Sequence, residues 1–296
     1  MAEFFEALRD PLFPFLRYGL LAGIMASVAF GIVGTYVVAR RIGYLAGAIA
    51  HSVLGGIGAS LYLREVHGLA WCDPTAGALI AGIASALVIG LVSLYAHQRE
   101  DTVIGAIWST GMAVGLLFIA KTPGRVDAMS YLFGNIQLIS REDLLFVAAL
   151  DVLVVLLAVF WHNKFLAVCF DQEFAELRGV RAKGYYLVLL CLTALCVVLL
   201  MRVVGIVLVI ALLTLPAAVA GHFAARLWHM MVLAVLFCMA FVVTGFAVAY
   251  PREFAPGPTI ILVAAAVYLV VALGGRLMRR AQWRSPAADV QSTSSE

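Results

Sequence analysis

A single histidine, His51, lies in the middle of the apolar run GAIAHSVLGGIG at residues 47–58. Neutral imidazole is a common ligand for zinc, manganese and iron, and an ionisable side chain inside a membrane is costly enough to be a functional candidate by default. A histidine that hydrogen-bonds across a helix interface is the alternative interpretation, and one histidine alone does not make a metal site.

A helical wheel at 100° per residue predicts how His51 is oriented. Its own side carries small residues such as Gly47, Gly55 and Gly58, whereas the opposite side carries bulky aliphatic residues such as Ile49 and Val53. In membranes, small residues let helices approach closely and bulky aliphatic residues face lipid. We therefore expect His51 to point into a helix bundle or a cavity, and the aliphatic side to face lipid.

Two further residues inside apolar segments could shape a polar path. Asp151 is an acidic residue deep in such a segment, where it could pair with a neighbouring helix or line the path. Pro216 lies late in the segment 203–224, where a proline removes a backbone hydrogen bond and kinks a helix. Kinked helices are common in transporters, although a harmless kink explains this feature equally well.

The charged segment CFDQEFAELRGVRAKG, residues 169–184, predicts a short amphipathic helix at about 170–180. Asp171 and Glu173 stand at its start, Phe174 and Leu177 give it an apolar side, and Gly179 is a candidate for its C-terminal cap. Between two membrane spans, such a helix would be exposed to the cytoplasm and available for docking a partner. An ordinary charged loop is the alternative.

The elements that must position these residues are membrane spans. Of 296 residues, 64% are hydrophobic and 12% are charged, which is about half the charge of a soluble domain. Because about 20 apolar residues cross a bilayer, the sequence predicts one all-α, polytopic membrane domain and no separate soluble domain. The last residues, 285–296, are polar and small, and we expect them to be disordered. Splitting the apolar runs at charges, prolines and turn clusters predicts about nine spans, at 18–39, 44–63, 75–96, 102–120, 142–161, 185–201, 204–224, 229–250 and 258–275.

The distribution of lysine and arginine predicts the orientation of these spans. If residues 162–184 are cytoplasmic, nine spans put the N-terminus outside, the C-terminus inside, and 12 of the 20 basic residues inside.

The net charge of +3 gives no argument for a nucleic-acid partner. No pair of cysteines has the CxxC spacing, so neither a disulfide framework nor a cysteine-type zinc site is indicated.

Motifs that the sequence lacks narrow the function further. It has no GxxxxGK(S/T) phosphate loop, so any ATP-driven work belongs to another chain. It has no HExxH and no GxSxG, which weighs against an intramembrane protease or hydrolase. A secondary transporter of a metal or small solute, driven by an ion gradient, is the main alternative to ATP-driven transport. Such proteins usually carry several intramembrane carboxylates or repeated halves.

Four segments, taken in order, resemble the permease family of zinc/manganese/iron-type ABC importers over residues 15–275. GYLAGAIAHSVLGGIG (43–58) is similar to that family's second-span motif, and YLFGNIQLIS (131–140) to its segment between the fourth and fifth spans. FDQEFAELRGV (170–180) is similar to its cytoplasmic coupling helix, and VGIVLVIALLTLPAAVA (204–220) to its most recognisable stretch. Each motif is weak alone, but four in the right order and spacing are specific.

The resemblance implies a fold like that of the vitamin B12-type importers, with fewer spans, in the lipid bilayer of a bacterial or archaeal plasma membrane. Two permease copies would pair around a central path, two cytoplasmic ABC ATPases would drive alternating access, and an external metal-binding protein would deliver the ion. His51 would be a transient ligand on the path, with no permanently bound cofactor. Asp171, Glu173, Ala175 and Gly179 would belong to the coupling helix.

One residue departs from the family pattern. Many members carry an aspartate four residues before the histidine, where this chain has Gly47. The second ligand therefore comes from elsewhere, with Asp151 and the His51 of the second copy as candidates, or His51 forms a constriction alone. Loss of a hard oxygen ligand favours zinc over manganese. Within the same broad fold, a permease for iron chelates or haem is an alternative, but a small-residue helix with one histidine suits a bare ion better.

Overall fold

The computed structural model describes residues 14–95, 100–123, 134 and 139–284, and these residues form helices and short connections without a strand. The predicted disordered tail, 285–296, and most of the segment 131–140 lie outside them. The all-α fold class expected from the sequence is confirmed. Within the described ranges the α-helices are α1 (Pro14–Ala39), α2 (Gly43–His67), α3 (Pro74–Tyr95), α4 (Glu100–Lys121), α5 (Arg141–Phe170), α6 (Gln172–Leu177), α7 (Ala182–Val204), α8 (Ile206–Ala220), α9 (Leu227–Ala249) and α10 (Pro256–Arg284), with a 3₁₀-helix (Tyr250–Arg252) after α9.

Eight of the described helices are long and apolar enough to cross a membrane, and they match eight of the nine predicted spans. The exception is the predicted span 204–224, which forms α8, a helix of 15 residues. At 1.5 Å per residue α8 is about 22 Å long, less than the ~30 Å hydrocarbon core. Gly205, with a φ of 84°, ends α7 and begins α8, and α8 ends at Ala220, four residues before the predicted end of the span, with Gly221 as its C-terminal cap.

The helix α5 is longer than predicted. The sequence suggested that a span ends near residue 161 and that a polar interval follows, but α5 continues to Phe170. Polar residues such as His162 and Lys164 end an apolar run without ending a helix, because helix propensity and hydropathy are separate properties. A single residue, Asp171, then separates α5 from α6. The long helix thus leads directly into the predicted coupling helix.

The helix α2 lies in the centre of the bundle, and the expectation that its aliphatic side faces lipid is wrong. In the most apolar stretch of α2, 72% of the residues are buried, compared with 17% in α4. Ile49 and Val53 are completely buried. They face α3, where a Cβ added at Gly82 would lie 3.2 Å from a methyl group of Val53. Neighbouring helices, rather than lipid, therefore cover both sides of α2.

The small-residue side of α2 packs against α4 almost backbone to backbone. A Cβ added at Gly55 would lie 2.9 Å from the carbonyl oxygen of Gly111, and one added at Gly58 would lie 3.0 Å from the Cα of Gly115. Real Cβ atoms essentially never approach other atoms within 3.0 Å. Glycines on both helices therefore allow this contact, as the wheel predicted for the side that carries His51.

Replacing Gly115 by alanine should lower the thermal midpoint of the purified protein. The added Cβ would lie 2.6 Å from the backbone carbonyl carbon of Leu54, and moving a helix backbone costs about 2 kcal/mol. Gly274→Ala is the matched control, because a Cβ at Gly274 meets nothing within 4 Å. Equal midpoints for the two variants in a thermal unfolding assay would contradict the close packing of α2 on α4.

Candidate translocation path and coupling helix

His51, the ninth residue of the 25-residue helix α2, projects toward α4 and stacks on Trp108. The two ring centroids are 4.4 Å apart and the ring planes are inclined by 24°. The imidazole is half-buried, and its Nδ1 atom is buried without a hydrogen-bond partner among the described residues. The Nδ1 atom therefore does not support the alternative interpretation, in which His51 hydrogen-bonds across a helix interface. A buried polar atom without a partner needs another explanation.

Gly47 lies one turn before His51, and the indole of Trp108 covers it as well. A Cβ added at Gly47 would lie 2.7 Å from Cζ3 and 3.1 Å from Cη2 of Trp108. Trp108 was not predicted from the sequence, because its spacing along α4 gives no sign of the contact with α2. Its side chain is 37% exposed, so the Trp108–His51 pair lies at the edge of the bundle.

Asp151 occupies a different part of the bundle. It lies on α5, and its carboxylate accepts a hydrogen bond of 3.1 Å from the backbone N–H of Ala29 on α1. No described contact joins Asp151 to His51, and the described residues contain no cluster of three histidine, cysteine or acidic residues that could hold a metal ion. The observed contact of Asp151 therefore holds α5 against α1, and its role as a metal ligand stays a prediction.

Pro216 is buried inside α8. This helix packs closely on α1, where a side chain at Gly34 would collide with the carbonyl oxygen of Leu213. Proline leaves the carbonyl group four residues earlier, that of Leu212, without its usual helical hydrogen bond. The predicted kink at Pro216 stays a prediction.

The short helix predicted at about 170–180 is α6. It begins because the carboxylate of Asp171 accepts a 2.9 Å hydrogen bond from the backbone N–H of Phe174, which satisfies one of the free donors of the first turn. Ala175 is buried, whereas Phe174 and Leu177 are 51% and 86% exposed. Glu173 is also exposed. An apolar pair with an acidic neighbour on an exposed helix is suited to docking a partner.

Gly179 ends this helix in a left-handed conformation, with a φ of 79°. The cap residue is Arg178, and two hydrogen bonds close the turn: from the N–H of Gly179 to the carbonyl oxygen of Glu176 at 2.9 Å, and from the N–H of Val180 to that of Ala175 at 3.0 Å. This pair of bonds is the Schellman arrangement, which glycine adopts without steric cost.

Replacing Gly179 by alanine should loosen α6. A left-handed conformation costs an L-residue about 1–2 kcal/mol, which corresponds to about 5–30-fold more frequent local opening. We expect amide hydrogen exchange in residues 172–178 to accelerate by that factor. Gly184→Ala, within α7, is the matched control because Gly184 has no left-handed φ and open space around its Cβ position. Unchanged exchange in the Gly179 variant would show that the cap does not fix the helix.

Arg40, at the C-terminal end of α1, holds the start of α6. Its guanidinium donates a 2.8 Å hydrogen bond to the carbonyl oxygen of Val168 and a 2.7 Å hydrogen bond to the side-chain oxygen of Gln172. The guanidinium carbon also lies 5.3 Å from the ring centroid of Tyr186. The planar guanidinium suits such paired and stacked contacts better than an ammonium group does. Sequence analysis counted Arg40 only as a basic residue.

The contacts of charged residues show which helix ends lie on the same side of the bundle. At the end with α6, Arg40 reaches Gln172 and the ammonium group of Lys183 lies 5.6 Å from the ring of Tyr95. At the other end, Arg202 lies 3.7 Å from Asp143. The C-terminal ends of α1 and α3 thus lie on the same side as α6, which agrees with the predicted alternation of the spans.

The chain matches known proteins over most of its length. A family model described as the ABC 3 transport family matches residues 12–275. A protein of Chlamydia trachomatis named "Probable metal transport system membrane protein" is 39% identical over 259 residues, which cover 87% of this chain and 88% of that protein. The manganese transport system membrane protein MntC of Halalkalibacterium halodurans is 30% identical over 272 residues, covering 90% and 88%.

A solved structure supports the same relationship. PsaBC from Streptococcus pneumoniae, determined in complex with Fab, superposes with a TM-score of 0.79 at 30% identity, covering 91% of this chain and 94% of that one. The helical bundle described above is therefore the fold of an ABC permease. Because the family model covers nearly all of the described residues, the chain belongs to the ABC 3 transport family.

Proposed function

We propose that this chain is the membrane permease of an ABC importer for divalent transition metal ions. The observation that carries the proposal is His51, which projects from the central helix α2 with a buried Nδ1 that no described residue satisfies. Imidazole binds zinc, manganese and iron. Relatives named for metal or manganese transport support the same class of substrate.

Zinc and manganese are the ions to compare. The names of several relatives specify manganese, and they do not support zinc in particular. The donor atoms on α2 favour zinc, because Gly47 supplies no oxygen ligand beside His51 and imidazole without carboxylate suits zinc better than manganese. We propose zinc as the preferred ion on this ground. No resident cofactor takes part, since the ion is the cargo.

A second copy of the chain would complete the path. The helix α4 is peripheral, yet Gly105, Ser109 and Ala113 form a line of small exposed residues along it. In membranes such lines favour helix association over contact with lipid. Covering α4 with a second permease would place two His51–Trp108 pairs near one shared interface. The His51 of the second copy is then the better candidate for a second ligand, because Asp151 is engaged by α1.

The coupling helix α6 would dock a cytoplasmic ABC ATPase through Phe174, Leu177 and Glu173, with Asp171, Ala175 and Gly179 maintaining its shape. We propose that the end of the bundle that carries Arg40 is cytoplasmic and that the N-terminus is outside. The short helix α8 would return the chain to the cytoplasmic end, where a Cβ added at Gly275 of α10 would lie 3.8 Å from His222, which follows α8. The C-terminus would then be inside. An external metal-binding protein would deliver the ion at the opposite end, near Arg202 and Asp143. The plasma membrane of a bacterium is the expected location, because the relatives are named as membrane proteins and come from bacteria.

Transport then proceeds by alternating access. The ion enters from the outer side, meets His51 at mid-depth, and leaves when ATP-driven movement of α6 opens the inner side. Binding at a transport site must be weak enough for release. A single imidazole per copy meets this requirement, whereas a closed set of four ligands would hold zinc permanently.

The proposal is tested by reconstituting the permease in vesicles with its ATPase and metal-binding protein and measuring uptake of radioactive zinc and manganese. We expect uptake only when ATP is present on the ATPase side, and unchanged uptake when ionophores dissipate proton and sodium gradients. Uptake by the permease alone that follows an ion gradient would overturn the proposal and indicate a secondary transporter.

A further inference from the structure

Trp108 places one aromatic ring over both His51 and Gly47, the residue one turn before it on α2. The indole stacks on the imidazole of His51 at 4.4 Å. The same ring passes over Gly47, where an added Cβ would be 2.7 Å from Cζ3. Stacked aromatic pairs of this kind hold each other in place. One side chain of α4 therefore covers one face of the imidazole and the helix surface one turn before it.

A second ligand on α2 beside His51 would have to occupy the space above Gly47. Residues four apart lie on the same face of a helix, so a carboxylate at position 47 would stand beside the imidazole of His51. Such a carboxylate requires the indole of Trp108 to move, because its Cβ would lie 2.7 Å from Cζ3, closer than the 3.0 Å that real Cβ atoms keep from other atoms. Indole offers no oxygen donor in its place.

We propose that Trp108 is a specificity-determining residue of the metal path. It fills the space of an oxygen ligand beside His51, so that the ion meets imidazole nitrogen without carboxylate, which favours zinc over manganese. The indole face also attracts positive charge, and so stabilises an imidazole that carries a metal ion. This inference rests on the proposed function, because it requires that the ion meets His51.

Because a side chain at position 47 and the indole of Trp108 compete for one space, exchanging which of them is present tests the inference. In the complete importer, Trp108→Ala, Gly47→Asp and the double variant Gly47→Asp/Trp108→Ala would be compared for ATP-driven uptake of zinc and manganese, each ion alone and in competition. Trp228→Ala is the matched control, because Trp228 also lies against an imidazole, that of His229 with ring centroids 3.6 Å apart, but on α9. Copurification with the ATPase reports assembly of each variant.

We expect Gly47→Asp alone to reduce uptake of both ions or to impair assembly, because the new carboxylate and the indole compete for one space. Removing the indole in the double variant should restore uptake, and the zinc-to-manganese ratio should fall by about tenfold relative to the unaltered importer, within the range by which ligand surroundings change metal affinity. Trp228→Ala should transport like the unaltered importer.

Three results would overturn the inference. Gly47→Asp that transports both ions normally would show that Trp108 excludes nothing. Defects of Gly47→Asp that Trp108→Ala does not relieve would place the obstacle elsewhere. A double variant with restored uptake and an unchanged ion ratio would show that the exchange does not set specificity. His51→Ala, measured in parallel, separates the two claims: normal uptake there refutes the proposed path, whereas lost uptake there with an unchanged ratio in the double variant refutes only the role of Trp108.

Discussion

Replacing His51 by alanine is expected to reduce ATP-driven metal uptake at least tenfold while the importer still assembles. Loss of a residue that only supports a metal ligand lowers affinity by about 10–100-fold, and loss of the ligand itself should cost no less. Folding should tolerate the change, because the imidazole is half-buried and its Nδ1 has no partner to lose among the described residues. The stacking on Trp108 that disappears is worth about 1 kcal/mol.

A matched control is available on the same helix. His67 is an exposed histidine in the last turn of α2. Its described aromatic contact is with Tyr62, and the two ring centroids are 5.6 Å apart. His67→Ala should retain full uptake of both ions. If His51→Ala also retains it, His51 is a packing residue, and the permease assignment then depends on the family relationship and the coupling helix alone.

Replacing Arg40 by alanine is expected to uncouple ATP hydrolysis from transport. Hydrogen bonds to a charged group contribute about 1.5–3 kcal/mol each. Arg40 makes two of them, at 2.8 Å to Val168 in the last turn of α5 and at 2.7 Å to Gln172 at the start of α6. Because the guanidinium is half-buried, we discount their sum to about 2 kcal/mol. A loss of that size reduces a coupled equilibrium by more than tenfold. The ratio of metal imported to ATP hydrolysed should therefore fall by more than tenfold.

Two further variants test whether the contacts of Arg40, or only its positive charge, couple ATP hydrolysis to transport. Arg40→Lys keeps the positive charge but cannot reproduce the paired contacts of the planar guanidinium, so we expect it to resemble Arg40→Ala. Arg181→Ala removes an exposed arginine at the start of α7 on the same side of the bundle and should leave the ratio unchanged. If Arg40→Ala imports as much metal per ATP as the unaltered importer, movements of α6 reach the path without Arg40.

The sequence predicted most of the helices, because charged residues, prolines and glycines bound nearly every apolar run. The prediction was wrong where the end of an apolar run and the end of a helix fall at different residues. His162 and Lys164 end an apolar run, but α5 continues past them to Phe170. The predicted spans divide near Arg202, but α7 continues to Val204 and the break between the helices falls at Gly205. Hydropathy reports transfer into lipid, whereas the ends of helices depend on backbone conformation.

The candidate site was only partly predictable for a different reason. His51 and the segment around Asp171 are conspicuous in the sequence because their residue types contrast with their surroundings. Trp108 and Arg40 act through contacts between helices that are distant in sequence, and such contacts depend on how the helices pack. The helical wheel separated two sides of α2 correctly but could not tell that Ile49 faces another helix instead of lipid.

The central claim is that a transported ion binds the imidazole of His51. Zinc-edge X-ray absorption of the assembled permease and ATPase, loaded with one equivalent of zinc and without the metal-binding protein, tests it most directly. We predict imidazole nitrogen neighbours at about 2.0 Å, and their loss in the spectrum of the His51→Ala variant. Identical zinc spectra for the two proteins would contradict the claim.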